Sequence, residues 1–291
     1  MTRTLAMLTG SAFSGSTLLT ALLDKHPQVC ALGESQKIFR QESGPHTVCW
    51  DCQTSLAECR HWVRWDQDQP FYQFATANSD CPVLVDSTKD PAIMLEQWHK
   101  ANRYPGNVVA IFLSKSPLEQ VGSYWRHHKW QLPESLSVPW TPEECVAEWI
   151  GINYWFYGFL QQNRIQVEFV TYANLTRHTA DTLERLLTRM GLDPRDDSPC
   201  VVSHVVAGNS AVIGAVTADA VGFDITGREN YLDGKYAGRE AKLTVEYDDS
   251  WQEMDQEFRA RVDAELKRRC AEVEPLMQLL GHSSPEDVND G

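Results

Sequence analysis

Short apolar runs that alternate with helical patterns constrain the fold of this 291-residue chain more than any other feature. Four runs read as strands: Thr4–Thr9 and Val83–Asp86 as buried strands, Val108–Leu113 as a very apolar strand, and Val167–Thr171 as the fourth. Runs this short and this apolar are typical of central parallel strands, which are buried on both faces. We therefore predict an α/β fold with a central parallel sheet flanked by helices.

Helical patterns follow these runs. Amphipathic spacing predicts helices over Ser16–Lys25, Leu118–His128, a long segment from Thr141, Thr179–Met190 and Trp251–Leu280. Thr141 is expected to be the N-cap of its helix, with Pro142 in the first turn and Glu144 in the capping-box position. Gly191 is expected to end the helix before it.

The chain shows no internal repeat and no low-complexity linker, so we predict a single domain over residues 1–281. Within this domain we predict a Cys-containing insertion at about residues 40–80. Residues 208–247 are rich in Gly and polar side chains and predict a lid or an irregular insertion. Residues 282–291 are polar and are predicted to be a disordered tail.

The charge balance bears on partners and location. Forty acidic and 26 basic residues give a net charge of −14, which argues against nucleic acid or anionic polysaccharide as the main partner. No run of eighteen apolar residues predicts a membrane span. The first residues do not read as an export signal, so we expect a cytoplasmic protein with mostly reduced thiols.

The segment Gly10–Thr17 (GSAFSGST) lies between the first strand and the first helix with the spacing of a P-loop. Ser16 occupies the lysine position, so the loop suits a phosphate-bearing ligand better than ATP hydrolysis. Backbone N–H groups at the helix start and the nearby hydroxyls still make an anion cradle. The residues expected to bind the ligand here are Ser14, Gly15, Ser16, Thr17 and Leu18.

Three consecutive pieces of sequence carry a family resemblance. They are Phe13–Leu19 (FSGSTLL), Leu22–Pro27 (LLDKHP) and the pair Gly33–Glu34. Together they resemble the phosphosulfate-binding segment of sulfotransferases that use 3′-phosphoadenosine 5′-phosphosulfate (PAPS). Phe13 stands where that family commonly has Arg or Lys, which removes one cation expected near the sulfonate bridge.

A second match lies at the end of the third predicted strand. Ile111–Pro117 (IFLSKSP), followed by Ser123, resembles the family's signature for the 3′-phosphate of PAPS. The family pattern has an Arg with a Ser eight positions later, and Lys115 and Ser123 keep that spacing. Lys is a point charge where Arg offers a bidentate fork.

Further pieces follow in the family's order: Val85–Lys89 (VDSTK), Val167–Leu175 (VEFVTYANL) and Ser203–Asn209 (SHVVAGN). An Arg often follows that last motif in the family. Residues 210–214 contain no Arg, and Arg228 and Arg239 are the candidates to replace it. The resemblance implies the P-loop NTPase-like sulfotransferase fold, with PAPS as co-substrate and 3′-phosphoadenosine 5′-phosphate (PAP) as product.

The resemblance also implies catalytic residues. Glu34 stands where the family has its catalytic carboxylate and is the candidate general base; a solvated or capping role is the alternative. Lys89 could face the sulfonate or be an ordinary strand-end lysine. The histidines that compete for the role of base are His26, His127, His128 and His204, of which His26 reads as structural.

One cluster of thiols is concentrated in the insertion: Cys49, Cys52 and Cys59, with His46 and His61 close by. The pattern allows a zinc site, a disulfide or a redox pair. It also resembles a Cys-containing insertion of some bacterial sulfotransferases, completed here by Trp62. Because a second Cys-x-x-Cys is missing, no metal is assigned from the sequence.

The sequence thus predicts a PAPS-dependent sulfotransferase acting on a hydroxyl or an amino or guanidino nitrogen of a small molecule, as a monomer or homodimer. The acidic balance and the aromatic segment Trp149–Phe159 favour a cationic acceptor, for instance an alkaloid of the saxitoxin type. For most of these aromatics, helix core is the favoured reading. The alternatives are a P-loop small-molecule kinase and a nucleotide-binding protein without catalysis.

Overall fold

Five parallel strands form the sheet at the centre of the protein. The computed structural model describes residues 3–39, 49, 52, 54–66, 68–100, 104–131, 141–196, 204–206 and 250–282. The strands are β1 (Thr4–Thr9), β2 (Val29–Gly33), β3 (Val83–Asp86), β4 (Asn107–Ser114) and β5 (Gln166–Thr171). Their order in the sheet is β2-β3-β1-β4-β5. Every pairing is parallel, so the predicted α/β fold class is confirmed.

Helices connect the strands. Those among the described residues are α1 (Ser16–Leu23), α2 (Gln36–Phe39), α3 (Phe71–Ala77), α4 (Pro91–Lys100), α5 (Pro117–Gln131), α6 (Pro142–Gln162), α7 (Tyr172–Arg177), α8 (Thr179–Arg189), α9 (Gln256–Arg268) and α10 (Cys270–Leu279). Short 3-10 turns lie at Trp62–Arg64 and Ser250–Glu253. Within the described ranges, none of the helices combines the length and apolarity needed to cross a bilayer.

The core lies on both faces of β1. Side chains alternate across a strand, so Leu5 and Met7 belong to the core cluster that contains Trp149 of α6. Ala6 and Leu8 belong to the cluster on the other face. All six residues of β1 are buried, which explains why the strand reads as a continuous apolar run.

The start of α6 forms as the sequence predicts. Thr141 accepts a hydrogen bond from the Glu144 backbone N–H at 3.2 Å, and the Glu144 carboxylate accepts one from the Thr141 N–H at 2.8 Å. The last predicted helix differs. It is divided into a 3-10 turn, α9 and α10, because the Asp255 carboxylate caps a new helix by accepting from the Phe258 N–H at 2.7 Å.

One strand was missed by the sequence analysis. Val29–Gly33 forms β2 at the edge of the sheet beside β3, and all five residues are buried. The segment is separated from α1 by five residues and is only five residues long, too short for its period to distinguish a strand.

His282 lies against the end of β4, with its Nε2 atom 2.9 Å from the Ser114 hydroxyl. It is the first residue of the predicted tail. Burial lowers the pKa of His282 to about 4. Residues 208–247 and 283–291 are outside the described residues, so the lid, the remaining tail and the domain bounds stay predictions.

We expect the free energy of unfolding to decrease as the pH falls from about 6.5 towards 4, because the unfolded chain then binds a proton that the folded His282 excludes. Protonation of His282 in the unfolded chain should lower the free energy of unfolding by about 1 kcal/mol between pH 7 and pH 5.5. Denaturant unfolding at a series of pH values should show a shallower pH dependence for His282→Gln. His178→Gln, at an exposed position, should keep the wild-type dependence. An unchanged slope in His282→Gln would contradict the assignment.

Candidate functional site

The loop between β1 and α1 turns sharply at Gly15. This residue has φ of 97°, in the left-handed region, and precedes α1 without a side-chain cap. A Cβ atom at Gly15 would lie 2.7 Å from the Tyr172 ring. Glycine is therefore required both by the backbone conformation and by the close approach of Tyr172. The uncapped N–H groups at the start of α1, towards Leu18, are available to an anion.

Two hydroxyls of this loop are buried without a protein partner. The Oγ atoms of Ser14 and Ser16 have no hydrogen-bond partner in the described part of the chain. A buried hydroxyl that lacks a partner costs about 1–3 kcal/mol, so such groups are normally satisfied by a ligand or water. Thr17 is buried next to them. The predicted anion cradle therefore fits a phosphate or sulfate group.

Lys115 and Ser123 meet in the fold as their spacing predicts. Lys115 follows β4, and its Nζ atom donates to the Ser123 hydroxyl of α5 at 2.9 Å. The ammonium lies 4.3 Å from the centroid of the Tyr172 ring, which is also the ring that Gly15 approaches. Lys115 is buried, and its carbonyl accepts from the Trp149 indole N–H at 3.1 Å. A cation and a hydroxyl are thus fixed close to the anion cradle.

Glu34 and Lys89 form an ion pair at the ends of two neighbouring strands. Glu34 follows β2, Lys89 lies just after β3, and the Lys89 Nζ atom is 2.6 Å from Glu34 Oε1. Lys37 approaches the other carboxylate oxygen at 3.3 Å. Burial alone would raise the pKa of Glu34, but the two ammonium groups hold it below its usual value. Glu34 is therefore ionised at neutral pH, the state that a proton acceptor requires.

A buried aspartate fixes the segments that carry this ion pair. Asp86 accepts hydrogen bonds from the Ser35 hydroxyl at 2.8 Å, the Thr88 N–H at 3.1 Å and the Tyr72 hydroxyl at 2.5 Å. Burial raises the pKa of Asp86, although these donors oppose the shift. Ser35 adjoins Glu34, and Thr88 adjoins Lys89. Asp86 thus acts as a positioning residue for the pair.

Phe13 occupies the position where the sulfotransferases that this sequence resembles commonly have Arg or Lys. Its backbone is in the left-handed region, with φ of 65°. Its ring packs edge-on against Tyr124, with 6.0 Å between the centroids. The position therefore contributes an aromatic contact to the loop in place of a cation.

The competing histidines lie in different places. His26 contacts the Asp193 carbonyl through Nε2 at 2.9 Å, a contact that links the end of α1 to the segment after α8. His204 faces the thiol cluster. His127 and His128 lie on α5, and a catalytic role for either stays a prediction. Arg228 and Arg239 lie outside the described residues.

The thiol cluster consists of Cys49, Cys52, Cys59 and His204. Each offers one ligand atom, and the four atoms lie within 4.8 Å of one another, so the cluster could hold a metal ion. His61 stacks on His204 with 4.9 Å between the ring centroids. His46 lies outside the described residues. His204 could not be predicted as the fourth member, because it lies 145 residues after Cys59 in the sequence.

Three further residues of the site were not singled out. Lys37 could have been found, because it lies three residues after Glu34, a separation at which opposite charges often pair. The contacts of Tyr172 and Tyr72 left no local signal, since each depends on a partner brought close only by folding.

Comparisons with solved structures identify similar folds. The sulfotransferase domain from the curacin biosynthetic pathway matches with a TM-score of 0.52 and 15% identity, covering 97% of this chain and 99% of that one. The sulfotransferase from Alicyclobacillus acidocaldarius matches with a TM-score of 0.48 and 11% identity, covering 98% and 99%. Retinol dehydratase in complex with retinol and PAP matches with a TM-score of 0.42 and 12% identity, covering 92% and 81%.

The likeness to the curacin-pathway domain extends over nearly the whole of both chains. The sulfotransferase fold that the motifs imply is therefore confirmed. No protein-family model matches the sequence, and no curated protein does either.

The contrast between two glycines tests the geometry of the loop. We expect Gly15→Ala to weaken the binding of an anionic nucleotide by about tenfold or more. The added Cβ would collide with the Tyr172 ring, and alanine disfavours the positive φ of this position. Gly191→Ala is the control, since Gly191 also has a positive φ, of 81°, but nothing lies within 4 Å of its Cβ position. It should lose about 1 kcal/mol of stability and keep its affinity. Equal affinities in calorimetric titrations of the two variants with PAP would contradict the role of Gly15.

Proposed function

We propose that this protein is a PAPS-dependent sulfotransferase that transfers the sulfonyl group to a hydroxyl or a nitrogen of a small molecule. The observation that carries the proposal is the anion site around Tyr172. The Tyr172 ring contacts Gly15, which lies between the unpaired hydroxyls of Ser14 and Ser16. The same ring contacts the Lys115 ammonium, which donates to the Ser123 hydroxyl. The order of the sequence motifs supports the same assignment.

Two parts of the site would bind PAPS. The start of α1, with Ser14 to Leu18, would hold the phosphosulfate group through N–H groups and hydroxyls. Lys115 and Ser123 would hold the 3′-phosphate. Lys115 is already fixed by Ser123 and the Tyr172 ring, so little side-chain freedom remains to be lost on binding.

Glu34 would act as the general base. It would accept the proton of the attacking hydroxyl or amine while the acceptor atom forms its bond to sulfur. The bond between sulfur and the bridging phosphate oxygen breaks at the same time, and its electron pair stays on that oxygen. PAPS supplies the sulfonyl group and leaves as PAP.

Lys89 would serve both partners of the reaction. In this structure it neutralises Glu34. An anionic donor would compete for the same ammonium, and this competition would weaken the interaction that holds the pKa of Glu34 down. Donor binding would thereby make Glu34 a stronger base at the moment the reaction needs one, and Lys89 would offset the charge that develops on the leaving oxygen.

The acceptor is proposed as a small molecule. A cationic acceptor, such as an alkaloid of the saxitoxin type, rests on the net charge of −14. The aromatic residues of α6 give it little support, because Trp149, Phe156 and Phe159 are buried in the core. This burial agrees with the core reading of that helix. The acceptor and the oligomeric state both stay predictions.

The two alternatives differ from the proposal in specific groups. A P-loop kinase would need a lysine where this chain has Ser16, in order to neutralise β- and γ-phosphates. A binding protein without catalysis would use the Glu34–Lys89 ion pair only to hold two strand ends together, so Glu34→Gln would have no turnover to lose.

Donor specificity can be tested by thermal-shift titration with PAP and with ATP–magnesium. At one hundred times its dissociation constant, PAP should stabilise the fold by about 2.7 kcal/mol, whereas ATP–magnesium should produce a much smaller shift. Stabilisation by ATP–magnesium alone would favour the kinase.

The role of Lys115 can be tested by Lys115→Met. This variant should bind PAP about tenfold to a hundredfold more weakly, because a buried charge opposite the phosphate is lost. Lys267→Met, on the exposed side of α9, should bind PAP like the wild-type protein.

The role of Glu34 can be tested by Glu34→Gln. This variant should lose about a hundredfold to ten-thousandfold in turnover, since the proton acceptor is removed. Its affinity for PAP should be retained or should increase, because Lys89 no longer pairs with a carboxylate. Glu184→Gln, at an exposed position of α8, should keep full turnover. Release of labelled PAP in the presence of a panel of phenols, alcohols and amines is the measurement. Undiminished turnover of Glu34→Gln would assign the base elsewhere.

A further inference from the structure

Three cysteines and one histidine surround a single point beside β2. His204 Nδ1 lies 3.5 Å from Cys49 Sγ, 3.4 Å from Cys52 Sγ and 3.6 Å from Cys59 Sγ. The Sγ atoms of Cys52 and Cys59 are 3.6 Å apart. Four soft ligand atoms therefore face one another from two segments that are far apart in sequence.

These separations match the edges of a tetrahedron around zinc. With Zn–S bonds of about 2.3 Å and a Zn–N bond of about 2.05 Å, tetrahedral geometry places S and N about 3.6 Å apart and two S atoms about 3.8 Å apart. The four distances given above agree with these values within about 0.2 Å, and the remaining two pairs of ligand atoms lie within 4.8 Å. Cys49, Cys52 and Cys59 are all free cysteines, so none of them forms a disulfide in this structure.

We propose that the protein binds one structural Zn²⁺ ion through Cys49, Cys52, Cys59 and His204. Thiolates and imidazole are the ligands that zinc prefers, and four protein ligands close the coordination sphere. Cys49 and Cys59 are fully buried, which suits a site that holds the fold together and does not present a metal to substrate. Of the alternatives that the sequence leaves open, this one fits the distances.

The surroundings of the four ligands support the same ion. The Cys52 N–H donates to the Cys49 sulfur at 3.5 Å, a bond that stabilises a thiolate. The Trp62 indole N–H donates to the His204 carbonyl at 2.8 Å and fixes the backbone of that ligand. Arg60 and Arg64 line a cleft of about 310 Å³ that reaches His204. Three thiolates with Zn²⁺ carry a net charge of −1, which these arginines complement.

The ion would fasten residues 204–206 to the edge of β2, next to Glu34. The Val206 N–H donates to the Leu32 carbonyl at 2.9 Å, and the Val206 carbonyl accepts from the Glu34 N–H at 3.3 Å. Gly33, with φ of 74°, allows this approach, because a Cβ there would lie 2.2 Å from the Val206 carbonyl oxygen. Zinc would thus hold the insertion and this segment in place beside the ion pair of Glu34 and Lys89.

The first test is the metal content of the purified wild-type protein, measured by inductively coupled plasma mass spectrometry. We expect about one zinc per chain. Cys59→Ser and His204→Ala should lose most of it, whereas His204→Cys should retain it, since four thiolates also bind zinc. Cys270→Ser is the matched control, because Cys270 is exposed and far from the cluster in sequence, and it should keep a full complement of zinc.

Cobalt substitution tests the same site without any mutation, which covers the case in which Cys59→Ser does not fold. The wild-type protein, stripped with a chelator and reloaded with Co²⁺, should show thiolate-to-cobalt absorption and the intense visible bands of tetrahedral cobalt. Removal of zinc should lower the melting temperature by about 5 °C or more.

Three outcomes would overturn the proposal: a wild-type protein with less than about 0.2 zinc per chain after growth in zinc-supplemented medium, a disulfide between two of the three cysteines found by mass spectrometry, or variants that keep all their zinc. None of these measurements depends on PAPS, so the zinc site and the proposed sulfotransferase activity can fail separately. Glu34→Gln should retain its zinc even as it loses turnover.

Discussion

The parallel pairing of β1 with both of its neighbours is the constraint on which the candidate site depends. β3 and β4 run in the same direction as β1, so the carboxyl ends of all three strands lie at one edge of the sheet. The segment Gly10–Thr17, which carries the predicted anion cradle, follows β1. Lys89 lies three residues after β3, and Lys115 directly follows β4. An antiparallel β4 would carry Lys115 to the opposite edge. Ligand sites of open α/β sheets lie at the carboxyl ends of the strands for this reason.

Local charge at this edge departs from the charge of the whole chain. The net charge is −14, yet Lys37, Lys89 and Lys115 gather around the loops that follow the strands. Lys115 is held by a hydroxyl and an aromatic ring, and Lys89 by a carboxylate. An anionic ligand would therefore meet cations fixed in advance, which avoids much of the cost of ordering them at binding. The net charge of the chain therefore does not predict the charge of a ligand that binds at this edge of the sheet.

The edge strand β2 shows how packing and a cluster of ligand atoms can act together. Its last residue, Gly33, lets the Val206 carbonyl come close, and the thiol cluster lies on the outer side of that contact. The chain passes from β2 directly into Glu34. Two backbone hydrogen bonds, from Val206 to Leu32 and from Glu34 to Val206, thus connect the segment that carries His204 to the residue that carries the carboxylate.

The sequence predicted most of the sheet and part of the site. β1, β3 and most of β4 could be recognised because burial on both faces leaves an apolar run, whereas in β5 only the last two residues are buried. The helix α6 could be placed because Thr141 and Glu144 satisfy each other's backbone N–H groups. The pair of Lys115 and Ser123 could be predicted because the resembling family signature places a cation at the strand end and a hydroxyl eight positions later. β2 was missed, and the last helix was drawn too long, since a short edge strand and an internal cap give weaker periodic signals.

What the sequence by itself determined was the identity of the loops and the order in which they occur. Ser14, Gly15 and Ser16 predict an anion site through their local spacing. Only the tertiary structure decided which distant groups meet: Tyr172 with Lys115, Lys89 with Glu34, and His204 with the three cysteines. The physical reason is that side-chain contacts across more than a few turns of chain are set by strand order and packing, and these leave no periodic trace in the sequence.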